Sequence, residues 1–253
     1  MMLAILRRNK IKEIISEEKS VSVADLAKRF EVTEETVRRD LQELEKEGIL
    51  KRIYGGAYVD DVVQDDVDVT LRERILVKEK EIIAVECAKH VKSGDSIFLD
   101  ASTTSLYIAT KVKNLRITII TNSLKIANLL SDSPDIHLLL IGGIYNRRSM
   151  SLLGKNTEES LKQYFVDKAF ISCRSIHQNS GITDSNEQQA EIRKIAIKHS
   201  NQTYLVVDHT KFDKTSFAYI SNFDDIDYIV TNQKVNEEWQ TYLDLKKVFV
   251  VQP

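Results

Sequence analysis

The chain has 253 residues, 42% apolar and 29% charged, which is enough for a real core and too much for one small module. A net charge of −2 excludes a globally basic nucleic-acid binder and leaves only a local basic face to do such work. Cys87 and Cys173 stand alone without metal-ligand spacing, the start MMLAIL is too short for a signal-peptide core, and the apolar runs fall far below a membrane span. A cytoplasmic protein without metal, cofactor or membrane partner is expected.

Ile11, Ile14 and Ile15 mark a first helix that also carries Arg7, Arg8, Lys10 and Lys12. Residues 23–30, VADLAKRF, form a short second helix preceded by Ser22, with Leu26, Ala27 and Phe30 inward. The connection through Glu31, Val32 and Thr33 has the length of a helix-turn-helix. Thr33 then caps a third helix, in which Val37, Leu41 and Leu44 make the apolar stripe. A turn of about 100° per residue sets Glu35, Arg39 and Gln42 opposite that stripe, flanked by Thr36 and Arg38. Gly48 ends the helix. A short basic strand with Lys51, Arg52 and Tyr54 follows, and the turn Gly55-Gly56 closes a hairpin.

This is the layout of a winged helix-turn-helix. Thr33, Glu35, Thr36, Arg38, Arg39 and Gln42 are the candidate groove-facing residues, and Lys51, Arg52 and Tyr54 the candidate backbone contacts. The plainer reading makes Arg38 and Arg39 solvated charges among Glu34, Glu35, Asp40 and Glu43. Residues 1–58 hold 12 basic against 11 acidic side chains, a difference of +1, so the electrostatic case rests on placement. Three short helices and a basic hairpin in sequence favour DNA binding.

Composition turns acidic at residues 60–69, DDVVQDDVDV, which carry no helical stripe and no signal for burial. The expected organisation is a reading domain over 1–58, a linker over 59–75 and a larger domain over 76–253. Beyond the linker, a helical stretch at 76–91 precedes β-rich runs at 96–99, 117–120, 137–141, 168–172, 204–207, 228–230 and 248–251. Helix-like segments at 105–111, 124–130, 155–164 and 187–199 lie between them. The fold class is therefore α/β, a mainly parallel open sheet with helices on both faces, plus the small winged helix-turn-helix.

Ligands of such sheets bind outside the carboxyl ends of the strands. Those ends are small and polar here: Asp100 to Ser105, Thr121-Asn122-Ser123, Gly142-Gly143, Ser172-Cys173-Arg174 and Asp208-His209-Thr210-Lys211. Ser102, Thr103 and Thr104 open a helix and offer hydroxyls and unpaired amides suited to a phosphate. Gly142 and Gly143 leave room for close backbone approach, and Arg148 or Lys211 can add a cation. Each has a structural alternative: Asp100 ordering its loop, Ser102 or Thr103 capping, the glycines turning, Lys211 on the surface. Together they favour a shared pocket for an anionic ligand.

The stretch from Arg7 to Ala57 resembles the DNA-binding domain of the DeoR family of bacterial transcription regulators. The likeness is carried by Val23, Leu26, Phe30, Thr33, Thr36, the run Arg38-Arg39-Asp40-Leu41, Gly48, Leu50, Arg52 and Gly55-Gly56-Ala57. It continues through the second half, where Asp100-Ala101-Ser102-Thr103-Thr104 matches the family's D-x-G-T-T loop, Thr121-Asn122 its T-N and Gly142-Gly143 its G-G. Asp167 to Phe170, Gly181-Ile182-Thr183, Glu191 and Asp208 to Phe212 follow in family order. The resemblance implies a sensor domain similar in fold to ribose-5-phosphate isomerase, with a phosphorylated sugar or related metabolite as effector. It adds Asn122, Glu191 and Asp208 to the effector-binding candidates. Ser102 replaces the loop glycine, and Arg174 lies where the family has a glycine-containing segment, so Arg174 is a candidate charge in the pocket.

The functional expectation is a sequence-specific regulator of a carbohydrate-utilisation operon, a repressor released by its effector, acting as a homodimer or higher homo-oligomer on two-fold DNA. One competing reading is a sugar-phosphate isomerase with an appended DNA-binding domain, using Asp100, Glu191, Asp208 and Lys211 as acids and bases. No independent catalytic motif accompanies that set, and fold alone does not license the activity. Another competitor is a DNA-binding module whose second half only oligomerises.

Overall fold

Short helices with one apolar stripe cannot bury it alone, and the first seventy residues solve this by packing three of them on a small sheet. The computed structural model describes residues 3–18, 20–53, 55–58 and 69–253. Tyr54 and the acidic run at 60–68 lie outside the described residues. The chain divides into two compact units, Met1–Leu76 and Val77–Pro253. The first thus runs past the expected boundary at 58.

That unit comprises α1 (Ala4–Glu18), β1 (Ser20–Ser22), α2 (Val23–Phe30), α3 (Glu34–Lys46), β2 (Lys51–Ile53), β3 (Gly56–Tyr58) and α4 (Val69–Arg72). The strands form an antiparallel sheet in the order β1-β3-β2. Ile11, Ile15, Leu26, Val37, Leu41, Leu44 and Leu50 make the core beneath it. Val69, in a stretch without a burial signal, is 3% exposed.

The second unit runs α5 (Val77–Lys89), β4 (Ser96–Leu99), α6 (Thr103–Val112), β5 (Ile117–Thr121), α7 (Leu124–Leu130), β6 (Ile136–Leu140), β7 (Ile144–Asn146), β8 (Ser151–Leu153), α8 (Lys155–Leu161) and β9 (Val166–Ile171). It continues β10 (Ser175–His177), β11 (Gly181–Asp184), α9 (Glu187–Lys198), β12 (Ser200–Val206), β13 (Ala218–Ser221), β14 (Tyr228–Val230), α10 (Glu237–Leu245) and β15 (Phe249–Val251). Seven strands form one parallel sheet in the order β15-β14-β12-β9-β4-β5-β6.

Alternate residues of each strand feed two cores, as a sheet covered on both faces requires. Ile97 and Leu99 of β4 pack with α5, α6 and α7, while Phe98 between them joins the core of α8, α9 and α10. Phe170, Tyr204, Tyr228 and Phe249 occupy directly paired positions on β9, β12, β14 and β15, with centroids 4.8, 4.5 and 5.5 Å apart in turn. Two small antiparallel sheets, β7-β8 and β10-β11-β13, complete the unit; they have no counterpart in the sequence expectation. Among the described residues, no helix is long and apolar enough to cross a membrane.

Strand order reverses beside β4: β5 and β6 lie to one side, and β9, β12, β14 and β15 to the other. The crevice between the carboxyl ends of β4 and β9 is the topological switch point, where such sheets bind ligands.

Candidate nucleic-acid interface and effector site

In the first unit the helix-turn-helix is locked by its caps. Ser22 Oγ accepts from Asp25 N at 3.2 Å and Thr33 Oγ1 accepts from Thr36 N at 3.3 Å. Glu31 ends α2 in the left-handed conformation at φ 52°, and the Val32 amide bonds back to Ala27 O at 3.1 Å. Val37, Leu41 and Leu44 are buried; Thr33, Glu35, Arg38, Arg39 and Gln42 are exposed and Thr36 is half-buried. Asp40 does not join the surface acids. It is buried, and its carboxylate accepts from the equally buried Arg7 Nε of α1, which takes Arg7 off the basic surface of that helix.

The exposed arginines have acidic neighbours on their own helix. Arg38 pairs with Glu34 and Glu35, and Arg39 Nε lies 3.5 Å from Glu35. Exposed pairs of this kind contribute at most about 1 kcal/mol, so a phosphate or base edge can replace the carboxylate. Arg52 is held more firmly. Its N and Nε donate to the two oxygens of Glu45 at 2.8 and 2.6 Å, tying β2 to α3. The Arg52 side-chain hydrogen bond, then the backbone one, hold the Glu45 carboxyl below its usual range. Lys51 is exposed. The wing turn reaches Gly55 at φ 86°, and Gly55 O accepts from Val23 N at 2.8 Å, joining the turn to the start of α2.

In the second unit Asp100 stands at the switch point, 1% exposed, with its acceptor positions filled. Oδ1 accepts from Ser102 N at 3.1 Å and Ser105 Oγ at 2.6 Å; Oδ2 accepts from Ser172 N at 2.9 Å and Arg193 Nε at 2.8 Å. Arg193 Nη1 pairs with Asp184 at the end of β11. Burial pushes the Asp100 carboxyl up, but the Arg193 charge and the serine hydrogen bonds outweigh it and hold the pKa below its ordinary value. For Arg193, burial disfavours the charge, yet Asp184 and Asp100 raise its pKa above the usual value. Asp100 thus fastens the loops after β4 and β9 to α9.

Above this anchor α6 begins. Ser102 caps it, its Oγ accepting from Ser105 N at 3.0 Å. Thr103 and Thr104 form its first turn, 7% and 5% exposed, and no other described residue takes their hydroxyls. Asn122, 1% exposed after β5, donates Nδ2 to Leu152 O at 3.0 Å and leaves Oδ1 without a partner. At the end of β12, Asp208 Oδ1 accepts from Thr210 N at 2.9 Å. Burial raises the Asp208 carboxyl, while Lys211 first, then the Thr210 bonds, bring it below the ordinary value. Lys211 is half-buried. Cys173 lies within reach of the charges of Lys211, Asp184, Arg193 and Asp208, and burial pushes its thiol up to about 12.

Of the remaining candidates, the two glycines serve the backbone. Gly143, at φ 155°, admits a close approach of the chain itself: an added Cβ would lie 2.8 Å from Leu153 O and collide with Thr157 Oγ1. Gly142 O accepts from Thr157 Oγ1 at 2.9 Å. Arg148 is exposed between β7 and β8, and Arg174 is half-buried with its amide on Thr183 O at 3.0 Å. Glu191 pairs with Lys194 along the outer side of α9 at 3.1 Å, so the structure does not bring it to the cluster.

Arg193 and Asp184 are the residues that sequence reasoning missed, and Ser172, expected only as part of a polar strand end, adds its amide to the same anchor. A signal existed for Arg193: Ala190, Arg193 and Ile197 share the i, i+3, i+7 stripe of α9, and all three are buried. A charge on an apolar stripe announces a buried partner. Asp184 and Ser172 carry no such sign, because only the pairing of β9 with β4 brings Ser172 to Asp100. Among the described residues no group of His, Cys, Asp or Glu side chains is arranged to hold a metal ion.

Residues 7–63 match the DeoR-like helix-turn-helix domain family, and residues 76–233 the DeoR C terminal sensor domain family. The chain is 41% identical over 249 residues to the uncharacterized HTH-type transcriptional regulator YulB of Bacillus subtilis (strain 168), covering 98% of this chain and 96% of that protein. It is 32% identical over 248 residues to the transcriptional repressor AccR of Agrobacterium fabrum (strain C58 / ATCC 33970), covering 97% and 96%. A partial likeness to ribose 5-phosphate isomerase A from Methanocaldococcus jannaschii covers 54% of this chain and 55% of that one, at 20% identity and a TM-score of 0.40.

Proposed function

The chain belongs to the DeoR family of transcriptional regulators, and on that premise we propose that it represses a carbohydrate-utilisation operon and is released by a phosphorylated sugar or polyol. The observation that carries the effector is the first turn of α6 at the switch point. Thr103 and Thr104 present hydroxyls and amides there at the positive end of a ten-residue helix, which favours a phosphate. Asn122 Oδ1 is a buried acceptor without a donor, a state that costs about 1–3 kcal/mol and that a ligand hydroxyl relieves. β12 lies two strands from β4, about 10 Å at the usual spacing, so an extended sugar phosphate reaches from Thr103 to Asp208 and Lys211. Asp100, its acceptor positions filled, acts by holding the loop that binds the phosphate.

Arg39 and Gln42, with Glu35, Thr36 and Arg38 beside them, read the major groove, and Lys51 and Arg52 meet phosphates. Two-fold operators call for at least a dimer, and the effector alters how two reading heads meet half-sites about 34–36 Å apart. A coupling of about 1–3 kcal/mol, or 5–150-fold in operator affinity, is the ordinary scale.

Thermal-shift screening tests the ligand class: sugar phosphates are expected to stabilise the protein and the same sugars without phosphate to leave it unchanged. Equal responses would remove the phosphate from the assignment. Reciprocity supplies a second check, because operator DNA must weaken effector binding by the same factor as effector weakens operator binding. The isomerase reading predicts ketose on incubation with ribose 5-phosphate; the regulator reading predicts none.

A further inference from the structure

The first unit does not end at the wing. Its last stretch runs from the buried Val69 through α4 to Leu76, with Glu73 N bonded back to Val69 O at 2.9 Å and Ile75 N to Arg72 O at 3.3 Å. Between these, Arg74 lays its guanidinium on Gly55, so closely that a Cβ added there would collide with Arg74 Nη1. Gly55 is needed for its φ of 86°, and its missing side chain leaves room for the guanidinium.

Three features meet at that turn. Gly55 O accepts from Val23 N, which brings in the N-terminal end of α2. The strand entering the turn carries the exposed Lys51 and Arg52. Arg74 is itself exposed and adds a planar cation. Strand cations and arginines are among the groups that take DNA phosphates, whereas base edges are read from the recognition helix.

We propose that Arg74 is a DNA-phosphate contact of the reading unit, seated beside the wing turn by Gly55, and that the stretch from Val69 to Leu76 belongs to the DNA interface. The contact lies three residues before Val77, where the sensor unit begins, and Leu76 between them holds a left-handed backbone at φ 51°.

The test is salt-dependent binding of the full chain to a mixed-sequence duplex, where phosphate contacts dominate and no operator need be known. Affinities of the wild type, Arg74→Gln and Arg74→Lys are compared by fluorescence anisotropy across a salt series, with circular dichroism to confirm folding. Arg74→Gln is expected to flatten the plot of log affinity against log salt by about one unit. Arg74→Lys keeps the charge and is expected to keep the wild-type slope. A wild-type slope in Arg74→Gln overturns the proposal, whether its affinity is retained or both variants lose affinity alike, since the latter marks Arg74 as packing for the wing alone. Wild-type binding to the same duplex is the control for DNA binding by the winged helix.

Discussion

The Arg39 side chain on α3 is 78% exposed and lies 3.5 Å from one carboxylate, whereas that of Arg193 on α9 is 8% exposed and held between Asp100 and Asp184. The same side chain does opposite work in the two units. A charge left in water forms pairs worth little, which makes it available for exchange with DNA. A charge taken out of water depends on its partners, and removing one leaves the other buried and uncompensated. The reading unit contains both kinds within one run, because the helix period turns Arg38 and Arg39 outward and Asp40 inward onto Arg7.

The sharpest way to break this contrast is Arg193→Met, which leaves Asp100 and Asp184 without their shared cation. A loss of about 3–5 kcal/mol is expected in the urea transition of the sensor unit. Asp100 adds a pH signature. Its folded-state pKa is depressed, so its contribution is full above the ordinary carboxylate range and is lost as pH falls through the lower folded value. With Arg193 gone the depression shrinks, and acid loss should set in at higher pH than in the wild type. An unchanged acid limb would assign the clamp no electrostatic role.

Asp40→Asn applies the same logic inside the reading unit. It removes a charged acceptor from buried Arg7, with an expected cost of about 1.5–3 kcal/mol in stability of that unit. Arg39→Ala, by contrast, should leave stability within about 0.5 kcal/mol. It should weaken specific operator binding by about 1–3 kcal/mol and relax one operator position in a base-substitution scan. Unchanged discrimination there would refute the assigned helix face. Glu45→Gln should have the smallest effect, within about 1 kcal/mol, since the Glu45–Arg52 pair is partly exposed and an amide still accepts the backbone hydrogen bond. A larger loss, seen by thermal unfolding, would show that β2 depends on that clamp.

Much of the molecule was legible before folding. All seven strands of the parallel sheet overlap the β-rich runs expected, because their central residues are covered on both faces and apolar; β12 also takes in the polar Ser200 to Thr203, ahead of the run at 204–207. The face of α3 follows from period alone, and so does the burial of Val37, Leu41 and Leu44. The small antiparallel sheets were not legible: β7, β8 and β10 are three residues each, too short to show alternation.

The sequence by itself determined local matters: helix phase, caps at Ser22, Thr33 and Ser102, and polar residues at the strand ends. Those depend on neighbours within a few residues, where backbone geometry sets what a side chain reaches. The tertiary structure alone decided which charges meet. Asp100 finds Arg193 93 residues away, Arg7 finds Asp40 33 residues away, and Gly143 turns out to make room for Leu153 and Thr157. Burial makes such pairings obligatory, since a carboxylate or guanidinium out of water must be matched. Nothing local encodes the partner, because strand order and helix packing bring it there.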